Sequence, residues 1–413
     1  MVGRWQHPLV PLLAISHVML ARAGDLDIIL YGATGCVGHF AAEHLGRQPG
    51  LRWAIAGRTK DKLDALLAEL DQAGANVSRP EIIVAELTTP SSMKSWVSRA
   101  SAVITAAGPF SVHNGEALVQ TCAEAGVHYA DTSDEFYWQR WMVDRYDSVA
   151  KQSDAKVVLA GGFCVLAGDL GSQLAVNGLE PGASGVKLDA WLETYNGGLS
   201  AGVINTGKAI KNASYPKAWD TDPYVLAPAA DSSLRVDTSV EGMTYPEWVS
   251  GEGVVVKNLF GPYDARLLRR TFTSLSQKVI LRVGSAASMY PKWTAFIAAH
   301  PGSWSKLSQC PSQSVFDDGS WAYRFKGTAA DGKSREVLLS GKGDPGYKFT
   351  AQGLAETGLC LAGKTVGCLK GTKGGVMTSM SALYAEVLQH RLETVGLLEV
   401  QVVESQKRFR TLK

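Results

Sequence analysis

The first half of the chain alternates short apolar runs with segments whose apolar residues recur every three or four positions. In the segment DKLDALLAEL (61–70), leucines at this spacing predict a helix with one buried face. Alternation of this kind predicts right-handed β-α-β units around a parallel sheet, and nearly continuous apolar strands predict helices on both of its faces. The strand-like runs are DIILYG (27–32), RWAIAGR (52–58), EIIVAE (81–86), SAVITAAG (101–108), VHYAD (127–131) and KVVLAGG (156–162).

The rhythm changes after residue 161. One more helix is predicted in GDLGSQLAVNGL (168–179), and longer strand-like runs separated by Gly, Pro, Ser and Asp clusters follow it. Near the end, TAQGLAETGLCLAG (350–363) and MTSMSALYAEVLQHRLETVG (377–396) read as helices, and the second is long enough to dock across the first domain. The strand-like runs are GVKLDAWLETY (185–195), KVILRVGSAAS (278–288), WAYRFKGTAA (321–330) and SREVLLSGKG (334–343).

Composition and charge narrow the class of protein. The 413 residues are 46% hydrophobic, which is enough for two substantial cores. Lysines and arginines number 41 against 39 acidic residues, so no nucleic-acid partner is expected. The six cysteines are scattered without a C-x-x-C pair, which predicts buried free thiols rather than a disulfide framework or a zinc site. No H-E-x-x-H pattern occurs, so no metal is predicted.

The stretch YGATGCVG places three glycines between the first strand and the next helix. Gly32 permits a sharp turn, Gly35 lets backbone N–H groups approach a pyrophosphate, and Gly38 allows the helix to pack closely on the strand. A helix N-terminus then supplies partial positive charge to the phosphates. The spacing G-x-x-G-x-x-G is a variant of the dinucleotide fingerprint, and a turn without ligand is the structural alternative. The residues of this predicted cofactor loop are Gly32, Ala33, Thr34, Gly35, Cys36, Val37 and Gly38.

The end of the second strand predicts which dinucleotide binds. An acid there accepts the ribose 2′-hydroxyl of NAD, whereas an arginine accommodates the 2′-phosphate of NADP. The chain has Arg58 at this point, followed by Thr59 as a further donor, and Arg58 can offer planar paired donors to phosphate. NADP(H) is therefore the predicted cofactor, while Lys62 reads as a solvating residue at a helix start.

The fourth strand ends in TAAGPF, and a sharp stop there predicts contact with the nicotinamide end of the cofactor. A purely structural turn is the alternative. Asp131 follows the fifth strand and is assigned to the same cofactor site, although it can equally cap the helix that starts near Glu135. The cofactor residues predicted at the strand end are Ala107, Gly108, Pro109 and Phe110.

These elements predict an α/β fold: a Rossmann-type, doubly wound parallel sheet with a second α/β domain built on a mixed sheet. We expect a short extension at 1–25, the cofactor-binding domain at 26–165, a substrate and dimerisation domain at 166–350, and C-terminal helices at 351–413 that return to the first domain. No apolar run is long enough to span a membrane. A soluble, cytoplasmic protein is expected, although residues 1–24 also resemble a secretory signal or an organelle transit peptide, and Met19 is an alternative start.

Five stretches in order resemble the saccharopine dehydrogenase-like oxidoreductases, in a branch that includes the trans-acting enoyl reductases of polyketide-lipid biosynthesis. The resemblance implies a Rossmann domain with a second α/β domain over its cleft, NADP(H), a small-molecule substrate and a homodimer. The chain departs from the family pattern at Asp134, at residues 164–167 and at Ser379. The stretches are YGATGCVG, AGRTKDKL, AAGPFSVHNGEALVQTCAEAGVHYADTSDE, GGFCVLAGDLGSQLA and GGVMTSMSALYAEVLQHRLETVG.

Candidate catalytic groups are polar side chains expected near the cleft, namely Tyr129, Ser133 and Tyr195. The first hypothesis is an NADPH-dependent reductase of a conjugated C=C or of a C=N bond in a fairly apolar substrate. A second is a non-catalytic NADP(H) sensor or scaffold. The third is a saccharopine-type amino-acid dehydrogenase, which would need cations in the second domain to hold carboxylates. The RLLRR cluster otherwise reads as a solvated helix face. Those cations would be Lys208, Arg266, Arg269 and Arg270.

Overall fold

Two seven-stranded sheets organise the protein, as seen in a computed structural model. It describes residues 24–74, 77–180, 182, 184–198, 201–227, 229–291 and 310–405. Residues 1–23 of the signal-like N-terminal segment lie outside the described residues.

The first sheet is parallel throughout, with strand order β13-β6-β5-β4-β1-β2-β3. Its central strands are fully buried, as expected of a sheet covered on both faces. This order is that of a doubly wound nucleotide-binding sheet, and it confirms the predicted fold class. The strands are β1 (Leu26–Tyr31), β2 (Trp53–Gly57), β3 (Glu81–Val84), β4 (Ala100–Thr105), β5 (His128–Asp131), β6 (Lys156–Val158) and β13 (Gly375–Met377).

Helices cover this sheet because each presents one apolar stripe to it. In the second helix, four leucines at helical spacing are buried while the other face is exposed. The helices of this part of the chain are α1 (Cys36–Gly46), α2 (Lys60–Gln72), α3 (Pro90–Val97), α4 (Gly115–Ala125), α5 (Phe136–Ser153) and α6 (Phe163–Val176).

The second sheet is mixed, with strand order β14-β12-β11-β7-β10-β9-β8. Strand β7 pairs in parallel with β10 and antiparallel with β11, so a long crossover must connect β7 to β10. That crossover contains α7 (Ala201–Asn212) and α8 (Gly261–Ser274). The strands are β7 (Val186–Asn196), β8 (Glu247–Val249), β9 (Gly253–Val256), β10 (Val279–Ala286), β11 (Ser320–Thr328), β12 (Ser334–Lys342) and β14 (Glu399–Ser405).

The C-terminal part differs from the single helix expected over 377–396. The chain enters the first sheet as β13 and then forms two short helices. A capping box at Thr378 starts one short helix, and Leu383 is extended and bridges to Leu369 before the next begins. The helices are α9 (Gln313–Asp318), α10 (Thr350–Leu361), α11 (Ser379–Ala382) and α12 (Ala385–Thr394).

The arginine cluster RLLRR is buried in α8, so its reading as a solvated face is wrong. Arg269 pairs with Asp237 at 2.8 Å, and Arg270 donates to the backbone carbonyls of Leu226 and Val376. Arg266 donates to the carbonyl of Asp220. These hydrogen bonds to distant parts of the chain offset the cost of burying the guanidinium groups, while Nε of Arg266 has no partner among the described residues.

The prediction of free thiols is wrong for four of the six cysteines. Disulfides join Cys36 to Cys310 and Cys360 to Cys368. Cys122 is a buried free thiol, and burial raises its pKa. Cysteines 274 positions apart give no sequence signal of their proximity, because only the fold brings them together. Among the described residues, no helix combines the length and apolarity needed to cross a membrane.

Candidate functional site

The glycine turn after β1 has the geometry of a phosphate cradle. Gly32 has a φ of +77°, and its N–H donates to the carbonyl of Ala56 at 2.9 Å. Gly35 is the N-cap of α1 and has no side chain to cap the helix. The first turn of α1 contains no acidic residue. The N–H groups at the start of α1 are therefore left for an anion to accept.

Close packing at Gly38 fixes the distance between helix and turn. A Cβ placed on Gly38 would lie 2.2 Å from the carbonyl oxygen of Gly32 and 2.8 Å from the Cα of Ala33. A Cβ on Gly32 would lie 2.9 Å from the Cβ of Ala107 at the end of β4. The turn, the helix and the end of β4 thus meet at one point, with Thr34 and Gly35 exposed above it. This cradle fits the pyrophosphate of a dinucleotide.

Arg58 stands directly after β2 with its side chain exposed. Its positive charge acts on Tyr31 at the end of β1, where burial raises the pKa of the phenol and Arg58 opposes that rise. Arg58 forms no ion pair with a residue that the structure describes, whereas Lys60 is paired with Asp64 at 2.7 Å. Thr59 is the N-cap of α2 and is also exposed. A guanidinium in this position is free to receive a phosphate.

The segment after β4 turns from the cradle towards a cavity. Thr105 Oγ1 accepts from the N–H of Ala107 at 3.2 Å, which bends the chain at the strand end. Phe110 is buried against Trp138, with ring centroids 5.6 Å apart. Pro109 lines the cavity, while Phe110 lies behind it in the core.

A cavity of about 590 Å³ lies between this segment and α7 of the second sheet's crossover. Its size suits a small organic ligand. Apolar groups and a few polar ones share its wall, and His113 and Lys208 are at exposed positions. The lining residues are Pro109, Ser111, Val112, His113, Tyr137, Trp141, Asn205, Lys208, Ala209, Asn212, Ala213 and Ser214.

Aromatic rings form one wall of this cavity. Tyr137 and Tyr215 are stacked at 5.2 Å with an interplanar angle of 5°, and Tyr215 stacks in turn on Trp219 at 6.3 Å. Trp141 meets Tyr137 edge to face at 5.3 Å. Stacked and edge-to-face contacts of this kind hold the rings in place, so the wall is a rigid apolar surface.

A short hydrogen-bonded chain runs from the cavity wall into the core. The hydroxyl of Tyr137 donates to Ser111 Oγ at 2.9 Å. Both the backbone N–H and the hydroxyl of Ser111 donate to Glu135 Oε1, at 3.1 and 3.3 Å. Glu135 is fully buried and is the N-cap residue of α5, but its side chain does not cap that helix.

The predicted catalytic residues lie elsewhere than the cavity wall. Tyr129 is fully buried and donates to Asp131 Oδ2 at 2.9 Å, while Ser133 donates to Asp131 Oδ1 at 2.7 Å. Asp131 also accepts from the N–H of Ala160 at 2.9 Å, and burial raises its pKa to about 6. Tyr195 packs beside the ring of Phe163 at 5.9 Å. Asp131 thus organises the ends of β5 and β6 from inside the fold.

The sequence did not single out the residues that line the cavity, apart from Pro109 and Lys208. Lys208 was considered only as a carboxylate partner. Tyr137 and Trp141 read as ordinary aromatic residues of a helix, and only their position beside the strand end of β4 in the fold sets them apart. Ser111, two residues after Pro109 in the GPFSVHNG segment, was the one local signal available.

The comparisons with known proteins point in one direction. Residues 28–158 match the family model of the saccharopine dehydrogenase NADP binding domain. A candidate trans-acting enoyl reductase of Mycobacterium tuberculosis is 27% identical over 388 residues, covering 83% of this chain and 90% of that protein. A trans-acting enoyl reductase of Mycobacterium ulcerans is 30% identical over 273 residues, covering 61% of this chain and 62% of that protein.

Solved structures were compared as well. Apo saccharopine dehydrogenase (L-Glu forming) of Saccharomyces cerevisiae is 12% identical, with a TM-score of 0.49 over 91% of this chain and 99% of that one. An amine dehydrogenase of Mycobacterium smegmatis is also 12% identical, with a TM-score of 0.41 over 88% of this chain and 97% of that one.

Proposed function

We propose that the chain is a saccharopine dehydrogenase-like, NADPH-dependent reductase that reduces a conjugated C=C bond of a fairly apolar small molecule. The observation that carries the proposal is the 590 Å³ cavity that Pro109 joins to the end of β4, beside the glycine cradle. Two similar proteins are named trans-acting enoyl reductases, which favours C=C over C=N reduction. A cytoplasmic location and a homodimer remain predictions.

The residues of the cradle fit the confirmed cofactor, NADP(H). The first turn of α1, from Cys36 to Gly38, would hold the pyrophosphate, and Arg58 would hold the 2′-phosphate. Bound NADPH supplies a hydride. The protein contributes the position of the acceptor and the polarity around it.

The saccharopine-type alternative loses its main support in the second domain. Arg266, Arg269 and Arg270 are buried and bonded to Asp237 and to backbone carbonyls, so they do not offer a carboxylate site. Of the four cations it required, only Lys208 lines the cavity. An apolar wall with a single lysine suits an apolar substrate carrying one anionic or carbonyl group better than a substrate with several carboxylates.

Arg58→Ala is expected to weaken NADPH binding about 10- to 100-fold, because a hydrogen bond to a charged group contributes about 1.5–3 kcal/mol. NADH, which lacks the 2′-phosphate, should bind equally to both proteins. Fluorescence titration measures both affinities. Lys62→Ala is the control, since this exposed lysine lies further along α2, and it should change NADPH binding less than twofold. An unchanged affinity in Arg58→Ala would remove Arg58 from the phosphate site.

Ala209→Phe is expected to place a phenyl ring in the cavity, to obstruct the substrate and to lower kcat/KM for an enoyl thioester about 10-fold or more, since each loss of about 1.4 kcal/mol of transition-state binding is tenfold in rate. NADPH affinity should not change. The rate is followed by the loss of NADPH absorbance with a crotonyl thioester and, separately, with a cyclic imine. Lys211→Phe, exposed on the same helix and outside the cavity lining, is the control. If NADPH is oxidised with the imine but not with the enoyl thioester, the reaction is C=N reduction and the proposed C=C reduction is wrong.

A further inference from the structure

We propose that Tyr137 is the proton donor of the reduction, and that Ser111 and Glu135 position it and return its proton. This inference rests on the proposed function, because it concerns the second half of the same reaction. Reduction of a conjugated C=C needs a proton at the α carbon after the β carbon has received a hydride. A group that supplies it must reach the cavity and be resupplied from inside the protein or from water.

Tyr137 meets the first condition by its place in the cavity wall. It lines the cavity together with Ser111, and the stack on Tyr215 holds its ring in one orientation. Burial raises the pKa of its phenol, so the hydroxyl keeps its proton through the neutral range. A fixed hydroxyl that remains protonated is suited to act as a general acid.

Glu135 meets the second condition. Its side chain is fully buried, its Oε1 accepts two hydrogen bonds from Ser111, and its Oε2 has no partner among the described residues. A carboxylate with an unpartnered buried oxygen is costly, whereas a carboxylic acid is tolerated. Burial raises the pKa of Glu135, and the hydrogen bonds from Ser111 offset only part of that rise. Burial and the unpartnered Oε2 therefore favour the carboxylic acid, the form that has a proton to pass on.

The step balances in atoms and electrons. The β carbon accepts a hydride with its electron pair, and the C=C π electrons move towards the carbonyl of the substrate. The α carbon then takes the proton of Tyr137, whose oxygen takes the proton of Ser111, whose oxygen takes the proton of Glu135. Before the transfer, Glu135 holds its proton on Oε1 and donates to Ser111, Ser111 donates to Tyr137, and the Tyr137 hydrogen points into the cavity. The transfer reverses these bonds and leaves the directions seen in the structure, with Tyr137 donating to Ser111 and Ser111 to Glu135. Water entering the open cavity restores the proton of Glu135 through the same hydroxyls between turnovers.

Tyr137 is distinguished from the other hydroxyl groups near β5 by access. Tyr129 and Tyr263 are bonded inside the core, to Asp131 and to the carbonyl of Ser133, and neither lines the cavity. Among the described residues, the cavity lining contains Tyr137 as its sole phenol. Tyr129 and Tyr195, the tyrosines that the sequence indicated as catalytic, therefore lack the contact with the cavity that Tyr137 has.

Tyr137→Phe is expected to lower kcat with an enoyl thioester about 100-fold or more, which is the usual contribution of a general acid. KM and the affinity for NADPH should change less than threefold, because the ring and its stack remain. Tyr146→Phe is the matched control: it removes a phenol from the same helix that is bonded to Glu116 outside the cavity, and its kcat should equal that of the wild type. A wild-type kcat in Tyr137→Phe overturns the proposal.

Glu135→Gln tests the positioning role by a pH profile. We expect the wild-type kcat to fall as the pH rises through the pKa of Glu135, because the ionised carboxylate has no proton to return. The variant should be slower and should lack this decline, and Ser111→Ala should resemble it. A variant that keeps the wild-type decline overturns the role of Glu135. The titratable groups that interact with Glu135 are Tyr129, Asp134, Tyr137 and Tyr263, and Asp131 also acts on Tyr129 and Tyr263.

A second measurement needs no turnover. The infrared carbonyl stretch of a protonated carboxylic acid, followed by pH titration of the protein without substrate, should contain a component that disappears in Glu135→Gln and shifts in Ser111→Ala. Its absence from the wild type at the pH values where kcat is highest contradicts the proton store. The two failures are distinguishable. If none of the enoyl substrates causes the wild type to oxidise NADPH, the proposed function is wrong. If the wild type is active and Tyr137→Phe is equally active, only the relay is wrong.

Discussion

Gly38→Ala is expected to abolish tight NADPH binding and to lower the stability of the first domain. The added Cβ would lie 2.2 Å from the carbonyl oxygen of Gly32 and 2.8 Å from the Cα of Ala33. Overpacking costs about 1–3 kcal/mol when neighbouring side chains can adjust. Here the neighbours are main-chain atoms of the cradle itself, so we expect the upper end of that range and a loss of affinity of about 100-fold or more. Urea unfolding and NADPH titration measure the two effects.

Two further glycine variants separate fold from binding. Gly35 has a φ of −82°, which any residue adopts, and a Cβ there would meet only the carbonyl oxygen of Gly32 at 3.4 Å. Gly35→Ala should therefore fold normally while placing a methyl group where the pyrophosphate approaches, and lose affinity alone. Gly168→Ala, inside α6 with open space around the added Cβ, should leave the affinity unchanged and should not lower the stability, because a helix interior favours Ala over Gly. Wild-type affinity in Gly38→Ala contradicts the cradle.

Local signals were sufficient for strands β1 to β6 of the first sheet and for the glycine turn after β1. The strand and helix spacing around Gly32, Gly35 and Gly38 lies within a few residues, and Arg58 follows its strand directly, so the sequence itself contains the relevant geometry. The same reasoning was wrong in part for 377–396, where Met377 ends β13 and extended residues at 383–384 divide the predicted single helix into α11 and α12. A strand of three residues is too short for its pattern to outweigh its helical surroundings.

Long-range contacts account for what the sequence did not predict. Arg269 is buried because Asp237 and carbonyls of a separate loop meet it, and Cys36 is oxidised because Cys310 approaches it in space. The cavity depends on α7 lying over the end of β4, which no spacing rule conveys. Tyr137 acquires a candidate role only through this meeting, since helical spacing alone assigns it to the core.

Glu356→Ala is expected to lower the free energy of unfolding by about 3–5 kcal/mol, the usual cost of removing one partner from a buried ion pair. Glu356 is fully buried on α10 and accepts from His44 on α1 at 2.6 Å and from Arg391 on α12 at 2.7 Å. Its loss leaves the guanidinium of Arg391 without its carboxylate and loosens α12 from the first domain. Urea unfolding at pH 7 measures the change.

Glu81→Ala provides the control, because the Glu81–Arg99 pair, at 2.8 Å, is on the surface and its acid is 55% exposed. Its removal should cost less than about 1 kcal/mol. An equal cost for both variants would mean that the Glu356 cluster does not anchor α12.

The pH dependence of this effect follows from the direction of the pKa shift. Burial alone would raise the pKa of Glu356, but the hydrogen bonds from His44 and Arg391 outweigh it and lower the pKa below its ordinary value of 4.5. A carboxyl group whose pKa is lower in the folded state stabilises the fold above the ordinary value, and that contribution disappears as the pH falls through the folded value. The stability difference between wild type and Glu356→Ala should therefore be largest above about pH 5 and should shrink below about pH 4. A difference that persists unchanged in acid would assign the effect to lost packing rather than to charge.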